Sequence, residues 1–316
     1  MKILIISYYY FPDINPRSLR WTSLVKDLVS NGNKVTVITA SEAISADMPE
    51  KIINVSQNFI GRLRGSLSNV NIDAAENKGC SGFFRKVVRQ LYFILVKNFQ
   101  WPDFAWTWIF AARRESIKEV LIERDYDVLI SVSHPFSSHL VARKLKKKFP
   151  NMKWIIDIGD PFYFMKEAPL NNFFLYLILN KYIEKKIFYE SDHISVTTPE
   201  TKERYIQSFN DFKNKIKVIP PMVADECVSN FSKIKNAQED SSEINLLFVG
   251  TLYSQIRNPS RFIYLLSEAS YKSQQKVNMN FYGSYNGIDT TKFKSSRNFA
   301  INFYDEISRE RVFEEI

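Results

Sequence analysis

Strand-length apolar runs alternate with longer helical patterns in this chain, stop, and start again, which points to an α/β protein of two doubly wound parallel-sheet units. The first run, Lys2–Ser7, is continuous Ile and Leu, as a strand covered on both faces requires. The punctuation agrees: a helix over Arg17–Asn31 gathers Trp21, Leu24, Val25 and Leu28 on one face, and Gly32 stands where a helix C-terminus wants it, ahead of the strand Lys34–Thr39. The break is a polar stretch over residues 222–243, after which the alternation resumes.

The remaining elements follow in order. Strands are expected at Val128–Ser133, Trp154–Ile158, His193–Thr197 and Lys217–Ile219, with helices at Pro135–Lys148, Phe173–Glu190 and Thr201–Phe209. Beyond the break come strand Leu246–Gly250, helix Pro259–Tyr271, strands Val277–Gly283 and Ala300–Phe303, and helix Ser308–Ile316. The domain reading is an N-terminal Rossmann-like domain over 1–221, a linker over 222–243, and a smaller Rossmann-like domain over 244–316. Three strands make a small sheet, so the second unit reads as incomplete, with an open edge that leaves oligomerisation possible.

Composition removes several classes. The nine glycines never stand two or five apart, so neither a G-x-G dinucleotide fingerprint nor a Walker loop exists. Cys80 and Cys227 form no C-x-x-C, which suits a reducing compartment. The N-terminus has no small-residue cleavage site, and no uncharged apolar stretch is long enough to span a bilayer, so a cytoplasmic location is expected.

Ligands of open parallel sheets bind beyond the carboxyl ends of strands, so the residues just after strands matter most. After the first strand, Asp13, Arg17 and Arg20 surround a Pro16 helix start. The two arginines, one turn apart, either grip a phosphate or carboxylate or pair with Asp13. His134 ends the Val128–Ser133 strand where a hydrogen bond to substrate is available, while His139 falls inside the following helix as a structural residue. Asp157 and Asp160 stand three apart after the next strand. Asp157 is expected to orient backbone and Asp160 to face the ligand. Asp125 and Asp127 have the D-x-D spacing of metal-dependent sugar transferases but precede their strand, the wrong end of the sheet. In the second unit, Gly250 ends a strand where a backbone must come close, and Arg257 and Asn258 precede a helix start. Basic charge beside free N–H groups suits a diphosphate.

These loops together resemble the metal-independent sugar transferases of the GT-B architecture, specifically glycosyltransferase family 4. The resemblance rests on F-P-D-x-x-x-R-x-x-R-W at Phe11–Trp21, W-I-I-D-x-x-D-P-F at Trp154–Phe162, V-T-T-P-E-T at Val196–Thr201, V-I-P-P at Val218–Pro221, and F-V-G-T-L-Y-x-x-x-R-N-P at Phe248–Pro259. It implies two Rossmann-like domains facing a cleft and transfer of a sugar, with retention and without metal, from a UDP- or GDP-linked donor to a lipid-linked or polysaccharide acceptor of a bacterial surface glycan. Under that likeness Arg257 holds the diphosphate and Gly250, Thr251 and Asn258 line it, Gly283 and Tyr285 lie near the nucleotide, and His134 faces the donor sugar. Asp160 joins His134 as a catalytic candidate, and Asp13, Arg17 and Arg20 border the acceptor side. No cofactor is implied. The family's glycine-rich turn after the first strand has no counterpart, Gly32 being the first glycine, and its paired glutamates would fall beyond Ile316. The competing expectations are a non-catalytic peripheral membrane or partner-binding relative and a nucleotide-sugar epimerase of the same architecture.

Charge and aromatics point to a membrane. Lys and Arg number 43 against 34 Asp and Glu, a net +9. Residues 84–95 set Phe84, Val87, Val88, Leu91, Ile94 and Leu95 opposite Arg85, Lys86 and Arg89. Trp101, Phe104, Trp106, Trp108, Ile109 and Phe110 follow, and Arg143, Lys144, Lys146, Lys147, Lys148 and Lys153 add six charges with no acid between. A basic amphipathic segment beside aromatics suits an anionic lipid surface, so peripheral attachment to the inner face of the cell membrane is expected. Nucleic acid is not.

Overall fold

A computed structural model of the chain describes residues 1–42, 48–55, 98–166, 168–221, 243–254, 257–308 and 311–312. The chain divides into two compact units, Met1–Met222 and Val223–Ile316.

The first unit is built on seven parallel strands: β1 (Lys2–Ser7), β2 (Lys34–Thr39), β3 (Lys51–Asn54), β4 (Val128–Ser133), β5 (Lys153–Ile158), β6 (His193–Val196) and β7 (Ile216–Val218). They lie in the order β3-β2-β1-β4-β5-β6-β7, so the winding reverses between β1 and β4. Strand alternation splits the apolar side chains between two cores. Ile3, Ile5, Val35, Val37, Ile130 and Val132 pack on one face with Trp21 and Val25 of helix α1 (Pro16–Ser30). Leu4, Ile6, Leu129, Trp154 and Ile156 pack on the other, against helices α2 (Trp108–Glu123), α3 (Ser137–Lys148), α4 (Phe173–Glu190) and α5 (Pro199–Ser208).

Helix α2 and strand β3 are absent from the sequence reading. The buried stripe of α2 carries Ser116 and Glu119 beside Trp108, Ala112 and Val120, so no clean apolar period marks it. Glu119 is tolerated there because Lys51 reaches it at 2.9 Å and the Tyr126 hydroxyl donates to it at 2.8 Å. Two helix starts also move. Helix α5 begins at Pro199, not Thr201, since a first-turn proline needs no N–H partner and Thr198 accepts from the Thr201 N–H at 3.2 Å. Helix α3 begins at Ser137, not Pro135, because Asp103 accepts the Ser137 N–H at 2.8 Å and so caps it from another part of the chain.

The second unit has a parallel sheet of β8 (Glu243–Val249), β10 (Lys276–Tyr282) and β12 (Phe299–Tyr304), in the order β12-β10-β8, with helix α6 (Ser260–Ser273). Its core gathers Leu252, Ile263, Val277, Met279, Phe281, Phe299 and Ile301. Strand β8 starts at Glu243, inside the expected linker, because Glu243 and Ile244 are already in register with Lys276 and Val277. The rest of that linker and residues 84–95 lie outside the described residues, as does most of the expected helix Ser308–Ile316. Two short strands escaped the sequence reading: β9 (Leu252–Tyr253) and β11 (Tyr285–Asn286) pair in parallel as a separate two-stranded sheet.

Candidate functional site

In the first unit the loops after β1 and β4 flank the point where the strand order reverses, the crevice in which open α/β sheets take ligands. His134 closes β4 there. Its ring stacks on Tyr9 (6.4 Å between centroids, 11° between planes) and lies 5.4 Å from Phe104. Burial lowers its pKa from 6.5; the charges of Asp103 and Asp160 oppose that shift and Arg17 adds to it. A neutral imidazole can accept a hydrogen bond from a hydroxyl, or donate one, at neutral pH.

Behind His134 stands Asp103, which the sequence reading missed. It is fully buried and accepts from the Ser137 N–H (2.8 Å), the Ser137 hydroxyl (2.6 Å) and the Ala105 N–H (2.8 Å). Burial pushes its carboxyl up despite those three donors. No spacing in W-P-D-F announces this role; only the fold brings residue 103 to the start of α3.

Arg17 and Asp160 meet. The guanidinium Nη2 lies 3.4 Å from Asp160 Oδ2, and Asn15 caps α1 by accepting from the Arg17 and Ser18 N–H groups at 3.0 Å each. The meeting depends on Gly159, since a Cβ there would sit 1.2 Å from Arg17 Nη2. Arg17, Asp160 and His134 thus form one polar cluster at the ends of β4 and β5.

Arg20 does not join it. Its guanidinium is buried, donating to the carbonyls of Pro220 (2.7 Å) and Ile219 (3.1 Å) beside Asp157 at 3.6 Å. It ties the V-I-P-P motif to α1 and is not free for a ligand in this arrangement. The Asp157 carboxylate holds side chains and not the backbone it was expected to orient, accepting from Trp21 Nε1 at 2.8 Å and the Ser195 hydroxyl at 2.5 Å. Asp13 pairs with neither arginine and accepts instead from the Ser41 hydroxyl at 2.6 Å. His139 is buried and neutral, its pKa lowered to about 3 by burial, with Nδ1 2.7 Å from Ser131 Oγ. Asp127 accepts the Lys2 N–H at 2.7 Å, at the amino end of the sheet.

In the second unit the loops after β8 and β10 run side by side. The Gly250 N–H donates to Tyr282 O (2.9 Å), Leu252 N–H to Ser284 O (2.9 Å) and Ser254 N–H to Asn286 O (3.2 Å). Gly250 and Gly283 carry φ of +146° and +141°, and a Cβ on Gly283 would lie 2.1 Å from Gly250 O. Both positions therefore favour glycine, Gly250 by its φ alone and Gly283 also because the Gly250 carbonyl lies against it. Thr251 accepts from the Ser284 hydroxyl at 3.1 Å. Asn258 accepts from the Ser260 N–H at 3.0 Å and so caps α6. Arg257, three residues before α6, is exposed, and among the described residues no ion pair holds its guanidinium. Tyr285 turns inward: its hydroxyl bonds the carbonyls of Phe281 and Tyr304 and its ring packs edge-on to Phe303 at 5.3 Å.

No family model matches the chain. No curated protein matches it in sequence. Solved structures match it in shape. The lipopolysaccharide outer core galactosyltransferase WaaB aligns over 100% of this chain and 71% of its own, with a TM-score of 0.53 at 12% identity. The catalytic domain of starch synthase IV from Arabidopsis thaliana, solved with ADP and acarbose, aligns over 98% and 75%, with 0.52 at 10%. The UDP-GlcNAc 2-epimerase of Methanocaldococcus jannaschii aligns over 99% and 75%, with 0.50 at 12%. The fold is GT-B. Within that GT-B fold both clusters sit at the carboxyl ends of parallel strands, each in its own unit.

The basic and aromatic run reads differently in three dimensions. Trp108 and Ile109 are core residues, and Trp101, Phe104 and Trp106 pack against the same core, which leaves only Phe110 of that group largely exposed. Four of the six cations of 143–153 are paired by acids some forty residues on: Arg143 and Lys147 with Glu190, Lys146 and Lys153 with Asp192. Among the described residues no helix is long and apolar enough to cross a membrane, and no group of three His, Cys, Asp or Glu could hold a metal ion.

Proposed function

We propose that this chain is a family 4-like glycosyltransferase that moves a sugar, with retention, from a UDP- or GDP-linked donor to a lipid-linked or polysaccharide acceptor at the cytoplasmic face of the membrane. The observation that carries the reading is the pair of loops after β8 and β10, where Gly283 closes on the Gly250 carbonyl, with Arg257 just before α6: a helix start and a cation that no described residue pairs suit a diphosphate. The relatives in shape agree in chemistry, since one transfers galactose in lipopolysaccharide synthesis and another was solved with ADP and acarbose.

In that reaction the anomeric C–O bond to the diphosphate breaks, and its electron pair leaves on a phosphate oxygen stabilised by Arg257 and the α6 N–H groups. The acceptor hydroxyl forms the new bond and gives up its proton, for which Asp160 is the candidate acceptor, with His134 binding a substrate hydroxyl. No metal or cofactor enters this scheme. The epimerase reading has one observation in its favour, the match to a UDP-GlcNAc 2-epimerase. Product formed from the donor alone would favour it.

Calorimetric titration with UDP and GDP, with and without EDTA, tests the proposal. Metal-independent binding that Arg257→Ala abolishes, with an unchanged unfolding midpoint, is the expected result. Unchanged affinity in that variant overturns it.

A further inference from the structure

Helix α4 shows water a face that a water-exposed helix does not ordinarily carry. Phe174 is 91% exposed and Ile178 85%, and Leu175, Leu179, Tyr182 and Tyr189 are exposed with them. Their spacing explains it: at 3.6 residues per turn these six fall on the arc opposite Phe173, Asn180, Ile183, Glu184 and Ile187, which are buried in the unit's core. The helix is therefore apolar on both sides over its first turns, beyond the scattered exposed hydrophobics of an ordinary surface.

Three lysines share the outward arc. Lys181 lies over the Tyr163 ring, Lys186 over the Tyr182 ring with its ammonium 3.1 Å from the Tyr182 hydroxyl, and Lys185 pairs with the exposed Asp211 at 3.4 Å. Aliphatic and phenyl groups at one end, tyrosines and long cations beside them, is the arrangement of a helix lying in a lipid interface: apolar groups reach the acyl boundary while ammonium groups meet phosphates.

We propose that the outward face of Phe173–Glu190 rests on an anionic lipid surface. It deepens the reading given above by naming the element that meets the membrane, and it rests on that reading for where the acceptor lies. The aromatic run 101–110, which the sequence suggested for this role, is mostly in the core.

Co-sedimentation with phosphatidylcholine vesicles, with and without phosphatidylglycerol, tests it on the full chain. The chain is expected on vesicles containing phosphatidylglycerol and, at physiological salt, absent from phosphatidylcholine alone. Phe174→Ser with Ile178→Ser should weaken binding tenfold or more, as removing two inserted apolar groups requires. Their exposure predicts an unchanged unfolding midpoint. Should that variant fold poorly, Lys181→Gln with Lys186→Gln decides, at about fivefold per lysine. Vesicle binding equal to that of the unaltered chain in either folded variant overturns the proposal. So does a sedimentation mass showing a dimer that the serine variant dissolves, or no vesicle binding at all. The nucleotide titration separates the two claims, because UDP or GDP binding belongs to the second unit and should survive every α4 substitution.

Discussion

Glu184 is the buried carboxyl whose behaviour most directly tests the packing of the first unit. It sits on α4, 1% exposed, and accepts from the Tyr205 hydroxyl (2.7 Å) and from the Phe162 (3.1 Å) and Tyr163 (3.1 Å) N–H groups of the loop that carries Asp160. Burial raises its pKa from 4.5 to about 7, with those three donors opposing the rise. The folded chain therefore keeps this proton to about pH 7, whereas the unfolded chain releases it near 4.5. The contribution to stability is full below pH 4.5 and is lost as pH rises to 7, a change of about 3 kcal/mol. Glu184→Gln removes the titration while the amide oxygen can still accept from the loop. Neutral buried His139, with its pKa lowered to about 3, slopes the other way below pH 6.5, so the difference between the two proteins is the quantity to read. Urea unfolding of both across pH 4.5–7 should show the advantage of Glu184 over Gln falling by about 3 kcal/mol. A pH-independent difference would refute the argument that burial outweighs the donors.

Asp157→Ala should cost 3–5 kcal/mol in urea unfolding, because Arg20 is left buried and uncompensated and Trp21 Nε1 loses its acceptor; a loss under about 1 kcal/mol would contradict that network. Gly283→Ala should destabilise the second unit by about 1–3 kcal/mol, since φ of +141° and a Cβ 2.1 Å from Gly250 O cannot both be relieved; a thermal midpoint equal to that of the unaltered chain would contradict it. Gly159→Ala should displace Arg17 at a cost of about 1 kcal/mol or less, and by removing a nearby positive charge it should raise the His134 pKa in an NMR titration, where a fall would show that Arg17 is not beside it.

The residues after strands were readable in advance because the strand-length apolar runs Lys2–Ser7 (KILIIS) and Val128–Ser133 (VLISVS) match strands covered on both faces. Their carboxyl ends then point to Arg17, His134, Asp160, Gly250 and Arg257, and the five ordered motifs led to the GT-B fold that the solved structures share. That much is local chemistry, and sequence carries it. What sequence could not carry is which distant group each side chain meets. The cations of 143–153 look free until Glu190 and Asp192 arrive at the end of α4. Arg20 looks like a ligand-binding residue until Ile219 and Pro220 take it up, and Asp103 has no visible role until α3 starts beside it. The exposed face of α4 was hidden for the opposite reason: its apolar residues run all the way round, and only the packing of Asn180, Ile183, Glu184 and Ile187 against the core decides which of them are left facing outward.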